Sequence, residues 1–460
     1  MGNLLTWRQE RTGQAPFRYV FTHDAADQLK TATRQSTDVV PAVLGRQLWD
    51  YDKGGNRTLA QTDDAVFRTT HDTRNRRQQR LPGGALAFVG TTNEPATVTV
   101  AGQPAPSDAT NTFRGSAPTA AGTTTVTVTA TDPNGNQATK QYDVDVAGAT
   151  TTFVHDLNGN LTFDGVKTYV WNARNQLIKV QQGGVDLAVF TYDGAGRRAT
   201  KTVGGITRSY VYDGPDILEE RVSTGDVIRY VHGPGMDNVL ARTTNGANAT
   251  YYAADHLGSI VHETNALGTV TLHREYDAWG ELRQGQTVSG FAFTGREWDA
   301  EVGLYYYRAR YYEPTAGRFL SEDPAGMVDG PNLYSYVGAS PLTQTDPLGL
   351  WKYAAEYGTV GTGLGGAIWM LEATVDSVFV SKSGDVATVT FTTNGKHKDG
   401  SKHYEGEAID IRTRHLTSGE VNEIIKALKS NLPSDYDVVN EKDHIHLEFD
   451  PKRRKSNGGC

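Results

Sequence analysis

Apolar and polar residues alternate over short stretches through the first two thirds of the chain, and each stretch ends in turn-forming residues. One example is FTYDGAGRRATK, in which Tyr192 and Asp193 are followed by Gly and Arg. An apolar–polar period of two predicts a strand, and Asp and Gly accept the positive φ of a tight turn. The pattern therefore predicts a series of β-hairpins.

This hairpin pattern repeats. The repeated pairs are His23-Asp24, Tyr51-Asp52, His155-Asp156, Tyr192-Asp193, Tyr212-Asp213 and Tyr276-Asp277. Trp171-Asn172 takes one further position of the rhythm, with Asn in place of Asp. A single hairpin buries only one face, so neighbouring units must stack to form a core. Both a coiled shell of strands and an extended surface adhesin satisfy this requirement.

The rhythm is interrupted between residues 86 and 148. The stretches EPATVTVAGQPAP and GTTTVTVTATDPNGNQATKQYDVDV alternate Val and Thr and carry turn residues between them. This composition predicts a small β-sandwich and is similar to a bacterial Ig-like module. We interpret it as a spacer inserted among the repeats.

Composition and charge narrow the range of functions. The chain has 460 residues, which indicates more than one domain, and its 50 Gly suit many short strands. Its net charge of −8 gives no general reason to expect a nucleic-acid partner. Cys460 is the only cysteine, which excludes an intrachain disulfide. No stretch is long and apolar enough for a membrane span, and the start lacks a signal-peptide core. The small number of repeats leads us to expect a longer parent protein.

Two carboxylates stand out between residues 303 and 350. Asp323 lies in SEDPAG and Asp346 in DPLGL, and Arg310 lies upstream in YRARYY. Two carboxylates held close together do not both ionise easily, so one serves as a base and the other as an acid. Asp-Pro and Pro-Gly pairs also form turns, and both Asp residues could simply cap them.

The repeats and the segment GLYYYRARYYEPTAGRFLSEDPAGMVDGPNLYSYVGASPLTQTDPLGL resemble the YD-repeat (Rhs) family. The resemblance implies that the repeats coil into a shell that ends at a DPxGL signature. It also implies aspartyl-type self-cleavage after Leu350, with Asp323 and Asp346 as the catalytic pair and Arg310 fixing them. The segment that follows, residues 351–460, would be a variable toxin sealed within the shell.

The sequence pattern changes after Leu350, where the Tyr-Asp repeats end. Residues 351–460 contain 14 Lys and Arg against 16 Asp and Glu, a net charge of −2. Two strands are predicted within residues 376–393. Thr417 and Glu420 have capping-box spacing at the start of an amphipathic helix. GEAIDIR and HIHLEFD alternate as strands, so this segment is predicted to be α+β with an antiparallel sheet.

The polar positions of these last strands carry metal-binding residue types. Asp410 and His446 alternate with apolar Ile and Leu, and His403 lies seven residues before Asp410. Two His and one carboxylate on one surface suit Zn²⁺ and leave a fourth position for water.

Ser401, His403, Gly406, Ala408 and Asp410 resemble the S-x-H-x-x-G-x-A-x-D signature of zinc D-Ala-D-Ala carboxypeptidases and phage endolysin peptidases. The resemblance implies His403, Asp410 and His446 as zinc ligands and Asp443 as the general base. His444 would steady the transition state. His444 as the ligand with Glu441 as the base is the alternative register. The Trp that often precedes the last His in that family is absent here, which affects the substrate pocket more than the metal.

These observations predict a mainly β protein with YD repeats at residues 1–85 and 149–302, the Ig-like insertion at 86–148, the Rhs core segment at 303–350 and an α+β toxin domain at 351–460.

We expect a secreted or surface-delivered zinc metallopeptidase that hydrolyses peptidoglycan stem peptides or cross-bridges in the periplasm or wall of a target cell. A cognate immunity protein is the expected partner, and nucleic acid is not. The alternatives are a nuclease toxin carried by the same shell and a non-catalytic adhesin. The net charge of −2 speaks against the nuclease.

Overall fold

The computed structural model describes residues 3–10, 15–327, 330–350, 353–354, 389–391, 408–413, 416–432, 436–441 and 444–449. The chain forms two compact units, residues 1–154 and residues 155–460. Each unit is built mainly from antiparallel strands.

The first unit contains two sheets. In the larger sheet β1 to β7 pair in chain order, β10 follows β7, and β13 also pairs with β7; the smaller sheet has the order β12-β11-β8-β9. The strands are β1 (Thr6–Gln9), β2 (Phe17–His23), β3 (Leu29–Ser36), β4 (Val43–Tyr51), β5 (Arg57–Thr62), β6 (Ala65–His71), β7 (Arg77–Thr91), β8 (Thr97–Val100), β9 (Gln103–Ala105), β10 (Thr112–Ala120), β11 (Gly122–Thr131), β12 (Gln137–Val146) and β13 (Thr151–Thr152).

The interrupted part of the repeat folds as a sandwich. Leu86 of β7 and Ala117 of β10 belong to one buried cluster with Val98, Val126 and Val144 of the smaller sheet. The inner faces of the two sheets therefore share a core, as the Val/Thr alternation predicts. Strand β7 extends from the repeat sheet into the sandwich without a break, so one strand serves both parts.

The second unit begins with a long meander. From β14 to β27 each strand pairs with the next, β28 to β32 form a separate sheet in chain order, and β33 pairs with β34. These strands are β14 (Val154–His155), β15 (Leu161–Phe163), β16 (Lys167–Trp171), β17 (Leu177–Gln182), β18 (Val185–Tyr192), β19 (Arg198–Val203), β20 (Ile206–Asp213), β21 (Asp216–Val222), β22 (Val227–His232), β23 (Val239–Thr244), β24 (Ala247–Ala254), β25 (Ile260–Asn265), β26 (Val270–Tyr276), β27 (Leu282–Gly285), β28 (Gly290–Phe291), β29 (Glu297–Asp299), β30 (Leu304–Tyr307), β31 (Arg310–Glu313), β32 (Arg318–Phe319), β33 (Gln344–Thr345) and β34 (Tyr353–Ala354). Short 3₁₀ turns cover Phe293–Gly295 and Val337–Ala339.

In most of the repeats the side chain of the Asp closes the turn. Asp193 Oδ1 accepts hydrogen bonds from the backbone N–H groups of Ala195 and Arg197, both at 2.9 Å. Gly196, between them, has a φ of +83°. Asn172 makes the same two contacts with its own Oδ1, at 2.9 and 3.0 Å. Asn substitutes for Asp in the rhythm because the turn needs only a side-chain oxygen at this position.

In the repeats with Tyr or Trp, this aromatic residue links the repeat to the one before it. The Tyr192 hydroxyl donates to the backbone carbonyl of Leu177, at 2.6 Å, at the start of an earlier strand. The same contact joins Tyr51 to Leu29, Tyr212 to Arg198 and Tyr276 to Ile260, at 2.8, 2.8 and 2.9 Å. In the Trp-Asn repeat, the indole N–H of Trp171 donates to Leu161 at 2.7 Å. Burial raises the pKa of Tyr192, so its hydroxyl remains a donor.

A buried ion-pair group joins the meander to the sheet of β28 to β32. Arg198 Nη1 lies 2.5 Å from Asp299 Oδ2, and Lys201 Nζ lies 2.8 Å from Asp299 Oδ1. Burial alone would raise the pKa of Asp299, but Arg198 and Lys201 outweigh it, and the pKa is lowered. Charged residues are therefore buried where the meander meets the sheet of β28 to β32.

The last part of the second unit is a small α+β arrangement. Its antiparallel sheet has the order β35-β36-β38-β37, and its helix lies between β36 and β37 in the sequence. The elements are β35 (Val389–Phe391), β36 (Ala408–Arg412), α1 (Ser418–Asn431), β37 (Tyr436–Asn440) and β38 (His444–Phe449).

The local sequence signals of this part are confirmed where the structure describes them. The Thr417 side chain caps the Glu420 N–H, and the Glu420 carboxylate accepts from the Thr417 N–H at 2.7 Å. Ile424 and Leu428 of α1 are fully buried with Ile445 of β38. Most of the two strands predicted within residues 376–393 lies outside the described residues; β35 is the part that is seen.

The mainly β fold, with hairpin repeats, an inserted sandwich and a small α+β region, is confirmed. Among the described residues, no helix has the length and apolar character needed to cross a bilayer.

Candidate functional site

A tight hairpin between β30 and β31 holds the DPLGL segment, residues 346–350, which we call the signature turn. Three consecutive hairpin residues donate hydrogen bonds to three consecutive carbonyls of this turn. Arg308 Nη1 donates to Pro347 O, the Ala309 N–H to Leu348 O at 3.1 Å, and Arg310 Nε to Gly349 O. The backbone leading to the Leu350 carbonyl is therefore fixed from one side.

Arg310 connects the two predicted catalytic carboxylates. Its Nη2 lies 2.8 Å from Asp323 Oδ2 and 3.1 Å from Asp346 Oδ2. The guanidinium carbon stacks 3.7 Å from the centre of the Phe319 ring. All three charged side chains are at least nine-tenths buried. The structure thus brings together Arg310, Asp323 and Asp346, which lie up to 36 residues apart in sequence.

Each of these Asp residues has a turn-forming oxygen and an oxygen that faces Arg310. Asp323 Oδ1 accepts from the Ala325 N–H at 2.9 Å, and Asp346 Oδ1 accepts from the Leu350 N–H at 2.9 Å. Both Oδ2 atoms contact Arg310. The turn-capping and the paired-carboxylate interpretations of the sequence are therefore compatible.

Gly349 gives the signature turn its shape. Its φ is +70°, and a Cβ at this position would lie 2.3 Å from Tyr307 O and 3.1 Å from the Arg310 nitrogen. A side chain would force the turn away from the hairpin, because backbone atoms cannot yield as a flexible side chain does.

The predicted cleavage position is the bond after Leu350, at the end of the signature turn. Leu348 and Leu350 are buried, in the same apolar cluster as Met236 and Ile424. The carboxylate pair is held next to this turn through the contact of Asp346 with the Leu350 N–H. Trp351, on the other side of the predicted scissile bond, lies outside the described residues.

The C-terminal sheet aligns some of the predicted zinc-site residues. Asp410 of β36 lies directly opposite His446 of β38, and Arg412 lies opposite His444. His446 Nε2 is 3.4 Å from Glu448 Oε2, and His444 Nε2 is 3.4 Å from Glu441 Oε2. His403 and Asp443 lie outside the described residues, as does the side chain of Asp410.

The predicted ligand set is therefore seen only in part. Among the side chains that the structure describes, no three His, Cys, Asp or Glu residues converge as metal ligands would. Zinc at His403, Asp410 and His446 stays a prediction, as do the roles of Asp443 and His444.

Sequence reasoning missed Arg308. This residue is 6 % exposed and has a φ of +52°, an unusual conformation for a side chain larger than Gly. A signal was present: two Arg residues flank one small residue in YRARYY, so both lie at the same hairpin.

Comparison with known proteins finds a family that is similar to the repeats. The sequence model of the Teneurin YD-shell family matches residues 131–332. Residues 131–332 are therefore similar in sequence to a YD-repeat shell. The match ends before the signature turn, so it does not extend to residues 351–460.

Relatives of this chain include bacterial proteins that are much longer. The tRNA3(Ser)-specific nuclease WapA of Bacillus spizizenii is 34 % identical over 232 residues, which is 47 % of this chain and 10 % of that protein. The double-stranded DNA deaminase toxin A of Burkholderia cenocepacia is 29 % identical over 256 residues, 48 % of this chain and 16 % of that protein. The probable deoxyribonuclease RhsA of Dickeya dadantii is 32 % identical over 221 residues, 45 % of this chain and 15 % of that protein. The chain thus spans a small fraction of the length of these relatives.

Among solved structures, the crystal structure of TcdB2-TccC3 is similar with a TM-score of 0.38 and 20 % sequence identity. The similarity covers 73 % of this chain and 19 % of that one.

The comparisons correct two predictions made from the sequence. The relatives are named as tRNA nucleases, deoxyribonucleases and a DNA deaminase. The prediction of a zinc peptidase is therefore wrong. The prediction that the partner is peptidoglycan and not nucleic acid is wrong for the same reason. His and Asp on a polar sheet face suit phosphodiester chemistry as well as amide hydrolysis, so spaced His and Asp residues do not identify the bond. A net charge of −2 over 110 residues also does not measure the charge at one site; PKRRK alone carries four basic residues.

Proposed function

We propose that this chain is part of a delivered toxin with two chemical activities. The cluster of Arg310, Asp323 and Asp346 hydrolyses the bond after Leu350, and the freed segment from residue 351 acts on nucleic acid in a target cell. The observation that carries the proposal is the single guanidinium that holds two buried carboxylates against the signature turn.

The self-cleavage step needs one water molecule and no cofactor. One carboxylate removes a proton from the water, whose oxygen adds to the Leu350 carbonyl carbon. The other carboxylate donates a proton to the leaving nitrogen as the carbon–nitrogen bond breaks. The products are a new carboxyl group at Leu350 and a new amino group at residue 351, so atoms and protons balance.

The three residues divide the work. The positive charge of Arg310 offsets negative charge on the two carboxylates. Stacking on Phe319 holds the guanidinium in place while the carboxylates gain and lose protons. Asp346 also binds the Leu350 N–H, so one acid group and the scissile carbonyl share a rigid turn. Holding reacting groups in place in this way lowers the barrier without new chemistry.

A nucleic-acid substrate is supported by the named activities of the relatives and by the polar face of the last sheet. His444 and His446 project from the same face of β38, since alternate residues of a strand share a face. Ile445 and Leu447, between and after them, are fully buried. Two His side chains on a solvent-side face, next to the carboxylates of Glu441 and Glu448, can exchange protons during phosphodiester hydrolysis.

The experiment uses the whole purified chain. Wild type is expected to appear as fragments of 350 and 110 residues by intact mass, and Asp346→Asn as one chain of 460 residues. Each preparation is then incubated with tRNA, with double-stranded DNA and with purified peptidoglycan. Shortened nucleic acid with wild type, lost in His446→Ala and kept in His262→Ala, supports the proposal. An uncut wild-type chain rejects self-cleavage, and unchanged tRNA and DNA reject the nuclease.

A further inference from the structure

All five N–H donors of the Arg308 guanidinium are used. Nε and Nη2 donate to the Pro215 carbonyl at 3.3 and 3.2 Å. Nη2 and Nη1 donate to the two oxygens of Asp237 at 2.6 and 3.2 Å. The remaining Nη1 donor goes to the Pro347 carbonyl of the signature turn. A side chain so fully committed is fixed in one orientation.

Arg308 therefore ties the signature turn to two repeat turns. Pro215 lies at the turn between β20 and β21, and Asp237 lies between β22 and β23. The Asp237 carboxylate is held from a second side by Arg296 Nη1, at 2.5 Å. The turn that carries the cleavage position is thus anchored to the shell segment through one buried cation.

The backbone of Arg308 indicates that this arrangement is costly to maintain. Its φ of +52° is tolerated by Gly but disfavours a larger residue by about 1 kcal/mol or more. Gly at this position would relieve that strain, yet the chain has Arg. The hydrogen bonds of the guanidinium, which Gly could not form, offset this strain.

We propose that Arg308 is a positioning residue for self-cleavage: by holding the Pro347 carbonyl it sets where the Leu350 carbonyl lies relative to Asp323 and Asp346. This inference rests on the proposed self-cleavage. Arg308 acts through the turn and does not contact either catalytic carboxylate in the described hydrogen bonds. Its loss leaves the acid and base chemistry in place but lets the reacting carbonyl move.

The division of labour within the hairpin follows from this geometry. Arg310 and Arg308 are separated by one residue, yet Arg310 binds the catalytic pair and Arg308 binds the shell turns. Lysine cannot replace Arg308, because an ammonium presents three donors from a single atom and cannot span Pro215, Asp237 and Pro347 as a planar fork does.

The test measures cleavage rates of newly made whole chain. Wild type, Arg308→Gly, Arg308→Lys and the control Arg242→Lys are synthesised in a cell-free system, and the 110-residue fragment is followed over time. Arg242 of β23 also forms an ion pair within the meander, with Glu263 of β25 at 2.9 Å. We expect Arg308→Gly and Arg308→Lys to be slower by on the order of tenfold to a hundredfold. Arg242→Lys should match wild type.

Two further readouts separate positioning from general stability. The pH profile of Arg308→Gly should keep the wild-type shape at a lower rate, because the acid and base are unchanged. Millimolar guanidinium should partly restore its rate by occupying the vacated site. A slow variant with a lowered unfolding temperature and no rescue would show a merely structural role and would overturn the inference.

The outcomes distinguish this inference from the proposed function. If Arg308→Gly cleaves at the wild-type rate while Asp346→Asn remains whole, the positioning role falls and self-cleavage stands. If wild type also remains whole, both fall.

Discussion

The carboxylate of Asp346 accepts a hydrogen bond from the backbone N–H of Leu350, at 2.9 Å. The same side chain uses its second oxygen to face Arg310. One residue therefore both shapes the turn and carries a proposed proton-transfer group, and substitutions can separate these two roles.

Asp346→Asn should abolish cleavage and leave the fold intact. The Asn side-chain oxygen can still accept from the Leu350 N–H, but the amide neither takes nor gives a proton. We expect the rate to fall by about 10²-fold to 10⁴-fold, with little change in unfolding temperature. Intact mass and a thermal melt measure the two effects. Asp346→Ala should lose both cleavage and stability, by about 1 kcal/mol or more. Cleavage of Asp346→Asn at the wild-type rate would show that this carboxylate is not part of the chemistry.

Gly349→Ala should block cleavage with both carboxylates unchanged. The added Cβ would lie 2.3 Å from Tyr307 O, so the turn must move away from the hairpin. The fragment ratio on a gel measures the effect. Gly246→Ala is a matched control, because Gly246 lies between β23 and β24 and also has a positive φ, of +73°, but its Cβ would meet nothing within 4 Å. Equal cleavage of the two variants would contradict the close fit between the turn and the hairpin.

Tyr276→Phe should destabilise the meander. It removes the donor to the Ile260 carbonyl and leaves that buried carbonyl without this hydrogen bond. We expect a loss of about 1–3 kcal/mol in the free energy of unfolding. Urea titration in the Asp346→Asn background, which keeps the chain whole, measures it. Tyr251→Phe, at a side chain 49 % exposed, is the control and should stay within about 0.5 kcal/mol.

Asp299→Asn should destabilise the protein in a pH-dependent way. The folded-state pKa of Asp299 is lowered, since Arg198 and Lys201 outweigh the effect of burial. A lowered carboxyl pKa contributes stability above the unfolded-state value, about 3.9, and that contribution is lost as the pH falls through the folded-state value. At pH 7 the substitution should cost about 3–5 kcal/mol. The difference in unfolding midpoint between variant and wild type should narrow below about pH 4. A pH-independent difference would be the contrary result.

Zinc content tests the remaining metal prediction. If His403, Asp410 and His446 bind Zn²⁺, the whole chain should carry one zinc by elemental mass spectrometry, and His446→Ala should carry much less. His262→Ala, on the meander, should retain it. Equal zinc in all three proteins would place any bound metal elsewhere.

The repeat fold was predictable because its information is local. Most of the pairs specify a turn through the side chain of their own Asp, as Asp193 shows with its two backbone contacts. The capping box at Thr417 and the alternation around Ile445 specified the last helix and strand in the same way. These elements can be predicted without knowing which distant residues they contact.

The site was only partly predictable because its contacts are long-range. The pairing of Asp323 with Asp346 through Arg310 was expected from a resemblance, not from spacing. The role of Arg308 depends on Pro215 and Asp237, which lie far away in sequence. The substrate of the C-terminal region could not be read from spaced His and Asp residues, because several hydrolytic chemistries share that pattern.

The contact from each repeat's aromatic residue to an earlier strand has a consequence for how such chains can vary. Each Tyr or Trp repeat takes only a backbone carbonyl from its predecessor, so this contact does not depend on the predecessor's side chain. A change of side chain in one repeat therefore leaves this contact to the next repeat in place, and Trp can replace Tyr because both donate one hydrogen bond. Neighbouring repeats are thus held together through backbone atoms, which every amino acid supplies.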